Sequence, residues 1–139
     1  MSNAARGQML VVDASCLFEV VADTEQAEPI RARLAADPDH AAPHLIDAEV
    51  LGVIRRQHLN GALDATSAAQ AVDDLAAWPG ERYGHQPLLA RAWDLRANVR
   101  SWDALYVALA EALDATLVTS DVHLAGAPGP HCAIEIVGV

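Results

Sequence analysis

Three short runs of apolar, largely β-branched residues recur along the chain, at positions 9–12, 116–119 and 133–137. The run at 9–12 is continuous rather than alternating, which is typical of a strand that is buried on both faces. A further short strand is expected within positions 41–45, whereas the segment 81–83 is too short to assign. The pattern therefore predicts a small sheet with covered faces.

Between these runs, apolar residues recur every three or four positions, which indicates helices with one buried side. The predicted helices cover positions 14–21, 25–36, 46–60, 65–78, 86–97 and 102–113, followed by a short segment at 122–125. Candidate N-caps are Asp13 or Ser15 for the first helix, Asp64 for the fourth with Thr66 or Ser67 as the alternative, and Ser101 for the sixth. Strands that alternate with helices predict an α/β fold with a small, mainly parallel sheet and helices on both faces.

The length of 139 residues and the 53% apolar content fit one compact domain, assigned to positions 1–139. The stretch from Ser2 to Ala4 is typical of a cleaved expression tag, so positions 1–8 are interpreted as tag-derived or disordered. Neither a secretory signal nor a membrane span is evident. Cys16 and Cys132 form no CxxC pair and are interpreted as reduced, buried thiols, which favours a cytoplasmic location.

All nine basic residues are arginines. The lack of lysine argues against P-loop NTPases, Schiff-base enzymes and kinases, which all need a lysine for their chemistry. The net charge of −10 argues against a protein that coats nucleic acid, because such proteins need a basic surface. It favours instead a partner that is basic where it makes contact.

Four carboxylates are the main candidates for chemistry. Asp13 and Asp121 follow buried strands, Asp103 lies in the first turn of a helix, and Glu49 lies in a mostly apolar helix. Side chains at the carboxyl ends of parallel strands gather at one edge of the sheet, so at least two of these acids should converge. Each also has a simpler explanation, since the aspartates suit helix N-termini and Glu49 suits a solvated helix rim.

Converging carboxylates repel one another unless a proton or a hard cation lies between them, and Mg²⁺ or Mn²⁺ is the natural cation for oxygen ligands. Such a site can activate water and stabilise charge on a phosphate. The chain has no GxSxG elbow, HExxH motif or CxxC pair, so other common hydrolase classes lack support.

Four segments closely resemble a PIN domain, and their order and spacing resemble the VapC toxins of bacterial type II toxin–antitoxin systems. The segments are VVDAS at 11–15, DAEV at 47–50, SWDALYVALA at 101–110 and LVTSD at 117–121. The strand-terminal aspartate alone is weakly specific, whereas the third and fourth segments together are highly specific. The likeness covers nearly the whole chain from Met9 onward, and Trp102 is a small departure, since the family often has tyrosine there.

The resemblance implies a three-layer α/β/α sandwich and an Mg²⁺- or Mn²⁺-dependent endoribonuclease. It also implies a homodimer that a VapB-type antitoxin neutralises in a hetero-oligomer. Carried over by position, the catalytic and metal-binding residues are Asp13, Glu49, Asp103 and Asp121. Ser15 and Thr119 occupy supporting positions. The alternative is a PIN-like protein-interaction module that has lost catalysis.

Several other side chains have more open roles. Candidates for contact with RNA or antitoxin are Arg55, Arg56, Arg91, Arg96 and Arg100. His44 and His123 lie near candidate acids in the sequence, although surface or packing roles are simpler. The three tryptophans fit the core or a dimer contact better than base stacking, and they are Trp78, Trp93 and Trp102.

Overall fold

The computed structural model describes residues 8–138, and its centre is a five-stranded sheet. The strands are β1 (Leu10–Val12), β2 (His40–Pro43), β3 (Glu81–Tyr83), β4 (Thr116–Thr119) and β5 (Ile134–Ile136). Their order in the sheet is β3-β2-β1-β4-β5, and every neighbouring pair is parallel. The predicted parallel sheet is thereby confirmed.

Within residues 8–138, seven α-helices surround this sheet. They are α1 (Ala14–Val21), α2 (Ala27–Ala36), α3 (Leu45–Leu59), α4 (Ala65–Ala77), α5 (Leu89–Asp94), α6 (Ser101–Ala112) and α7 (Val122–Gly126). Helix α6 packs against β1, β2 and β4, and α5 packs against α6. Helices α1 to α4 pack on one another and reach the sheet through α1 and α3. This arrangement is the predicted α/β/α sandwich.

Both faces of the central strand β1 contribute to the core. Leu10, Val11 and Val12 are all fully buried, although successive strand side chains point to opposite faces. Helix α6 contributes an unbroken buried run from Ala104 to Ala110. A helix that is apolar on nearly all sides belongs at the centre of a domain. Residues at the ends of β1 and β4 are therefore held by the most deeply buried part of the fold.

Several predicted element boundaries differ from the structure. Strand β3, whose segment is too short to assign from sequence, pairs with the edge of β2 through its backbone. Helix α2 begins at Ala27 instead of position 25. The predicted helix over 86–97 is a 3₁₀ turn, Gln86–Leu88, followed by the short helix α5. After α5 most backbone hydrogen bonds join residues three positions apart, as in a 3₁₀ helix. Leu95 and Val99 in this segment are buried in the core.

The predicted cap of α6 is also wrong. Ser101 is the first helical residue and is exposed, whereas Arg100 occupies the N-cap position with an extended backbone. The carbonyl of Arg100 accepts the first helical bond, from Ala104 N. Asp64 does cap α4, because its carboxylate accepts a hydrogen bond from Ser67 N. Ser15 is not a cap, since it lies inside α1.

Arg82 on β3 ties three parts of the fold together. Its guanidinium donates two hydrogen bonds to Asp47 on α3. It also donates to the carbonyls of Leu75, Trp78 and Gly80, at and beyond the end of α4. The same group lies 4.9 Å from the ring centroid of Trp78. Arg82 therefore satisfies orphan carbonyls at a helix end while fixing the edge strand.

The remaining expectations concern the termini and the thiols. Positions 1–7 lie outside the described residues, and Gln8 is held on the domain because its N–H donates to Asp37 Oδ1 at 2.7 Å. Cys16 is buried and Cys132 is partly buried, and both thiols are free. Within residues 8–138, no helix is long and apolar enough to cross a membrane.

Candidate active site

The candidate site lies where the strand order reverses. Strand β1 is followed by β2 on one side of it, and β4 returns to its other side, which opens a crevice at the carboxyl ends of β1 and β4. Asp13 directly follows β1, and Asp121 lies two residues beyond β4. The prediction that strand ends bring these two acids to one edge is confirmed.

Asp13 is the most tightly held of the four acids. It occupies the N-cap position of α1, yet its side chain makes no capping bond. Its Oδ2 atom instead accepts hydrogen bonds from Thr119 Oγ1 at 2.6 Å and from Ser15 Oγ at 3.1 Å. Within residues 8–138, Oδ1 accepts no side-chain hydrogen bond. The two hydroxyls therefore orient the carboxylate through one of its oxygens.

Thr119 and Ser15 also connect Asp13 to the segment that carries Asp121. The N–H of Asp121 donates to Thr119 Oγ1 at 3.0 Å, and the N–H of Ser120 donates to Ser15 Oγ at 3.3 Å. The carboxylate of Asp121 caps α7 by accepting from His123 N through Oδ1. Both expectations for Asp121 are therefore met, since it caps a helix and also lies beside the other acids.

Glu49 reaches the same region from α3. Tyr106 Oη on α6 donates a 2.7 Å hydrogen bond to Glu49 Oε1. Tyr106 is fully buried, so it fixes the carboxylate from the core side. Sequence reasoning did not assign Tyr106 to the site. The signal was its spacing, because Tyr106 lies three residues after Asp103 and therefore on the same side of α6.

Arg100 links Asp103 to Asp121. It donates to Asp103 Oδ2 from Nε at 3.2 Å and from Nη2 at 3.0 Å. The same Nη2 lies 3.7 Å from Asp121 Oδ2. Two clefts meet at this arginine: one of about 410 Å³ is lined by Glu49 and Asp103, and one of about 310 Å³ by Asp103 and Asp121.

Burial and mutual repulsion disfavour the charged forms of two of these carboxylates. Burial raises the pKa of Asp13, and the charge of Asp103 raises it further, although the Thr119 and Ser15 hydroxyls act in the opposite direction. Burial also raises the pKa of Glu49, with Asp13 and Asp103 adding to the effect. Raised carboxyl pKa values mean that the folded chain resists holding all of these negative charges together.

The donor atoms suit a hard divalent ion, because the group supplies carboxylate oxygens backed by hydroxyls and no soft ligand. However, no three His, Cys, Asp or Glu side chains within residues 8–138 form a ready-made metal cage. A shared ion would therefore require the acids that line these clefts to come closer together. Arg100 lies between two of them.

The other candidate residues fall into different places. Arg55 and Arg56 are exposed, about two turns beyond Glu49 on α3. Arg91 is turned away from the acids, because it binds Glu111 and the carbonyl of Gly129. Arg96 lies over the ring of Trp93, 4.4 Å from its centroid.

The histidines and tryptophans are also now placed. His44 is exposed at the N-cap of α3, and His123 is exposed along the cleft that contains Asp121. Trp78 is partly buried against the core. Trp93 and Trp102 are 66% and 59% exposed, so they are not core residues of the single chain.

Comparison with known proteins relates this chain to a family. The PIN domain family model matches residues 10–129. Ribonuclease VapC1 of Mycobacterium tuberculosis is 41% identical over 128 residues, which cover 91% of this chain and 96% of that protein. The chain belongs to the VapC family of PIN domains. The acids of this VapC-family chain lie within the matched region.

Solved structures show the same PIN fold. PAE2754 from Pyrobaculum aerophilum matches with a TM-score of 0.66 at 23% identity, over 94% of this chain and 92% of that one. VapBC2 from Rickettsia felis, solved with a DNA fragment from its promoter, matches with a TM-score of 0.68 at 13% identity, over 93% and 98% of the two chains. At these identities the likeness concerns the fold.

Proposed function

We propose that this PIN domain is a metal-dependent endoribonuclease and the toxin of a toxin–antitoxin pair. The observation that carries the proposal is the grouping of Asp13, Glu49, Asp103 and Asp121 around the carboxyl ends of β1 and β4, with Asp13 held by Thr119. The names of the relatives, which are ribonucleases of the VapC type, support the reaction class.

In this proposal Asp13, Glu49, Asp103 and Asp121 hold Mg²⁺ or Mn²⁺. A bound divalent ion supplies a water of lowered pKa and stabilises negative charge on the attacked phosphate. The chain's own part is to orient the ligands. Thr119 and Ser15 fix the Asp13 carboxylate, and Tyr106 fixes Glu49, as outer hydrogen bonds commonly do around metal ligands.

The open clefts on both sides of Asp103 allow an RNA strand to pass across the acids. Exposed guanidinium groups lie along this path: Arg55 and Arg56 are further along α3, and Arg100 is at the site, where it is paired with Asp103. With a net charge of −10, the rest of the surface repels RNA. Binding of the substrate should therefore depend strongly on the metal.

The same charge favours a basic partner protein, and we expect the partner to be a VapB-type antitoxin that is basic where it makes contact. In Rickettsia felis, VapBC2 was solved on a fragment of its promoter. A short reading frame for a basic protein next to this one would be the antitoxin candidate, and co-purification of the two proteins tests the pair.

We further propose self-association through the apolar groove between α5 and α6, which exposes Leu89, Trp93 and Trp102.

The direct test of the enzyme is cleavage of a mixed RNA substrate by wild type and by Asp13→Asn. Wild type should cut with Mg²⁺ or Mn²⁺ and stop with EDTA. The asparagine variant should lose about a hundredfold or more of the rate, since a metal ligand contributes several kcal/mol to such a transition state. Circular dichroism checks that the variant is folded. A wild type that binds a partner but cuts no RNA with either metal would instead indicate the non-catalytic interaction module.

A further inference from the structure

Arg100 is exposed, yet it is committed to the acidic site. Its side chain is 82% exposed, and Nε and Nη2 both bind Asp103 Oδ2. Nη2 also lies 3.7 Å from Asp121 Oδ2, which belongs to the segment that follows β4. The guanidinium therefore bridges two acids that come from separate elements, and it lines both clefts that meet at the site.

Arg100 engages one carboxylate oxygen on each of two proposed metal ligands, Asp103 and Asp121. Two N–H groups occupy Asp103 Oδ2, so that oxygen is not free for a cation while the pair is formed. A guanidinium that lies between Asp103 and Asp121 also adds positive charge where a divalent ion would lie. Arginine and metal are therefore competitors for the same carboxylates.

A divalent ion can displace the Arg100 guanidinium from these acids. An ion pair with one strongly exposed partner contributes little to stability, because water and salt screen it and the long side chain loses freedom. Since Arg100 extends from the N-cap of α6, its side chain can turn into solvent without moving the buried helix. Release costs little, whereas a divalent ion gains several oxygen ligands.

We propose that Arg100 is a built-in competitor of the metal: it holds Asp103 and Asp121 in the metal-free protein and must leave when the ion binds. This inference rests on the proposed metal-dependent function and adds regulation to the same site. Metal binding then releases a guanidinium at the meeting point of the two clefts. The site thus becomes competent for a phosphate only after the metal has bound.

The test is the affinity for Mn²⁺, measured by calorimetry and by the electron paramagnetic resonance of free Mn²⁺, with no RNA present. Arg100→Gln should bind Mn²⁺ about two- to fivefold more tightly than wild type, which is the scale of an exposed ion pair. Arg96→Gln is the matched control, because it removes the same charge from a side chain that lies on Trp93. Its affinity should stay within about twofold of wild type.

A second measurement follows the Arg100 Nε–H resonance of wild type by NMR during a titration with Mg²⁺. Loss of the Asp103 hydrogen bond should shift this resonance and accelerate its exchange with water. The inference is overturned if Arg100→Gln binds Mn²⁺ no more tightly than wild type, or if Mg²⁺ leaves the Arg100 resonance unchanged. In either case, metal binding by wild type would still support the enzyme proposal. If neither wild type nor Arg100→Gln binds Mn²⁺ at millimolar concentration, both proposals fail.

Discussion

Thr119 and Asp13 are 106 positions apart, yet the Thr119 hydroxyl donates a 2.6 Å hydrogen bond to Asp13 Oδ2 in a buried setting. The pairing of β1 with β4 brings them together, because Val12 lies opposite Val118. The same hydroxyl oxygen accepts from the N–H of Asp121. One threonine therefore sets the positions of two acids.

Thr119→Val should preserve the fold and weaken the site. Valine has nearly the same shape but no hydroxyl, so Asp13 loses its shortest hydrogen bond and its pKa should rise further. Loss of such an outer partner commonly costs about 10- to 100-fold in metal affinity or activity. Calorimetry with Mn²⁺ and RNA cleavage measure the effect. Thr119→Ser, which keeps the hydroxyl, should retain most of both, and equal loss in the two variants would contradict this role.

Tyr106→Phe isolates the support of Glu49. The change removes one hydroxyl and its 2.7 Å bond, and it leaves a ring of the same size in the core. We expect Mn²⁺ affinity to fall about tenfold or more, because the half-buried Glu49 becomes free to rotate and harder to ionise. The control is Tyr83→Phe on β3, the chain's other tyrosine, which should leave Mn²⁺ affinity unchanged. An unchanged affinity in Tyr106→Phe would exclude the positioning role.

The four acids could be predicted from the sequence, whereas the role of Tyr106 as a supporting residue could not. Asp13 and Asp121 follow apolar runs, and parallel strands end at one edge, so local pattern and topology together place them. Tyr106 lies in an unbroken buried stretch, where burial masks any pattern that would distinguish a site residue. Its spacing from Asp103 was the available signal.

Long-range pairings were less accessible. Arg82 contacts Asp47 across 35 positions, and nothing local to either residue indicates that partner. Strand β3 has only three residues and depends on β2 for its hydrogen bonds, so its own sequence carries little information. The end of α5 at Asp94 depends on how Leu95 and Val99 fit the core, which periodicity alone does not determine.

The Arg82 connection predicts a loss of stability. Arg82→Lys keeps the charge, but an ammonium cannot bind Asp47 with two parallel bonds and also reach three carbonyls. We expect the free energy of unfolding in urea to fall by about 2 kcal/mol. The exposed Arg56→Lys should unfold like wild type. A urea midpoint for Arg82→Lys equal to that of wild type would show that these contacts contribute nothing.

Metal-free stability should depend on pH through Asp13. Because burial raises the folded pKa of Asp13, its protonated form favours folding. That stabilisation is complete below the unfolded pKa of about 3.9 and is lost as the pH rises through the folded value. The amide introduced by Asp13→Asn cannot ionise. With EDTA, this variant should therefore melt at a higher temperature than wild type at a pH of about 7.5, and the difference should shrink towards a pH of about 4.

Added Mg²⁺ should reverse that order at the higher pH. Wild type should gain melting temperature as the ion binds the folded state, whereas Asp13→Asn should gain little. Differential scanning calorimetry at both pH values, with and without Mg²⁺, provides the four comparisons. The opposite result is that Asp13→Asn melts below wild type in EDTA at the higher pH. That result would show that the protein itself compensates the buried charge of Asp13, so that no metal is needed to stabilise it.

The groove between α5 and α6 gives the prediction about assembly. Trp93 and Trp102 line it with Leu89, and all three are at least half exposed in the single chain. A cavity of about 630 Å³ with two exposed indoles is unusual on a monomer's surface. Aromatic residues are enriched at interfaces between protein chains, and a second copy would cover both indoles.

Trp93→Glu should therefore convert a dimer into a monomer, because each interface would gain two buried like charges and lose its aromatic anchors. Light scattering coupled to size exclusion measures the mass at micromolar concentration. The matched control is Leu59→Glu at the end of α3, where the wild-type leucine is 64% exposed and outside the groove. This control should keep the wild-type mass. A monomeric wild type, or a Trp93→Glu variant that remains dimeric, would place any self-association elsewhere and leave the groove next to Asp103 open to another occupant.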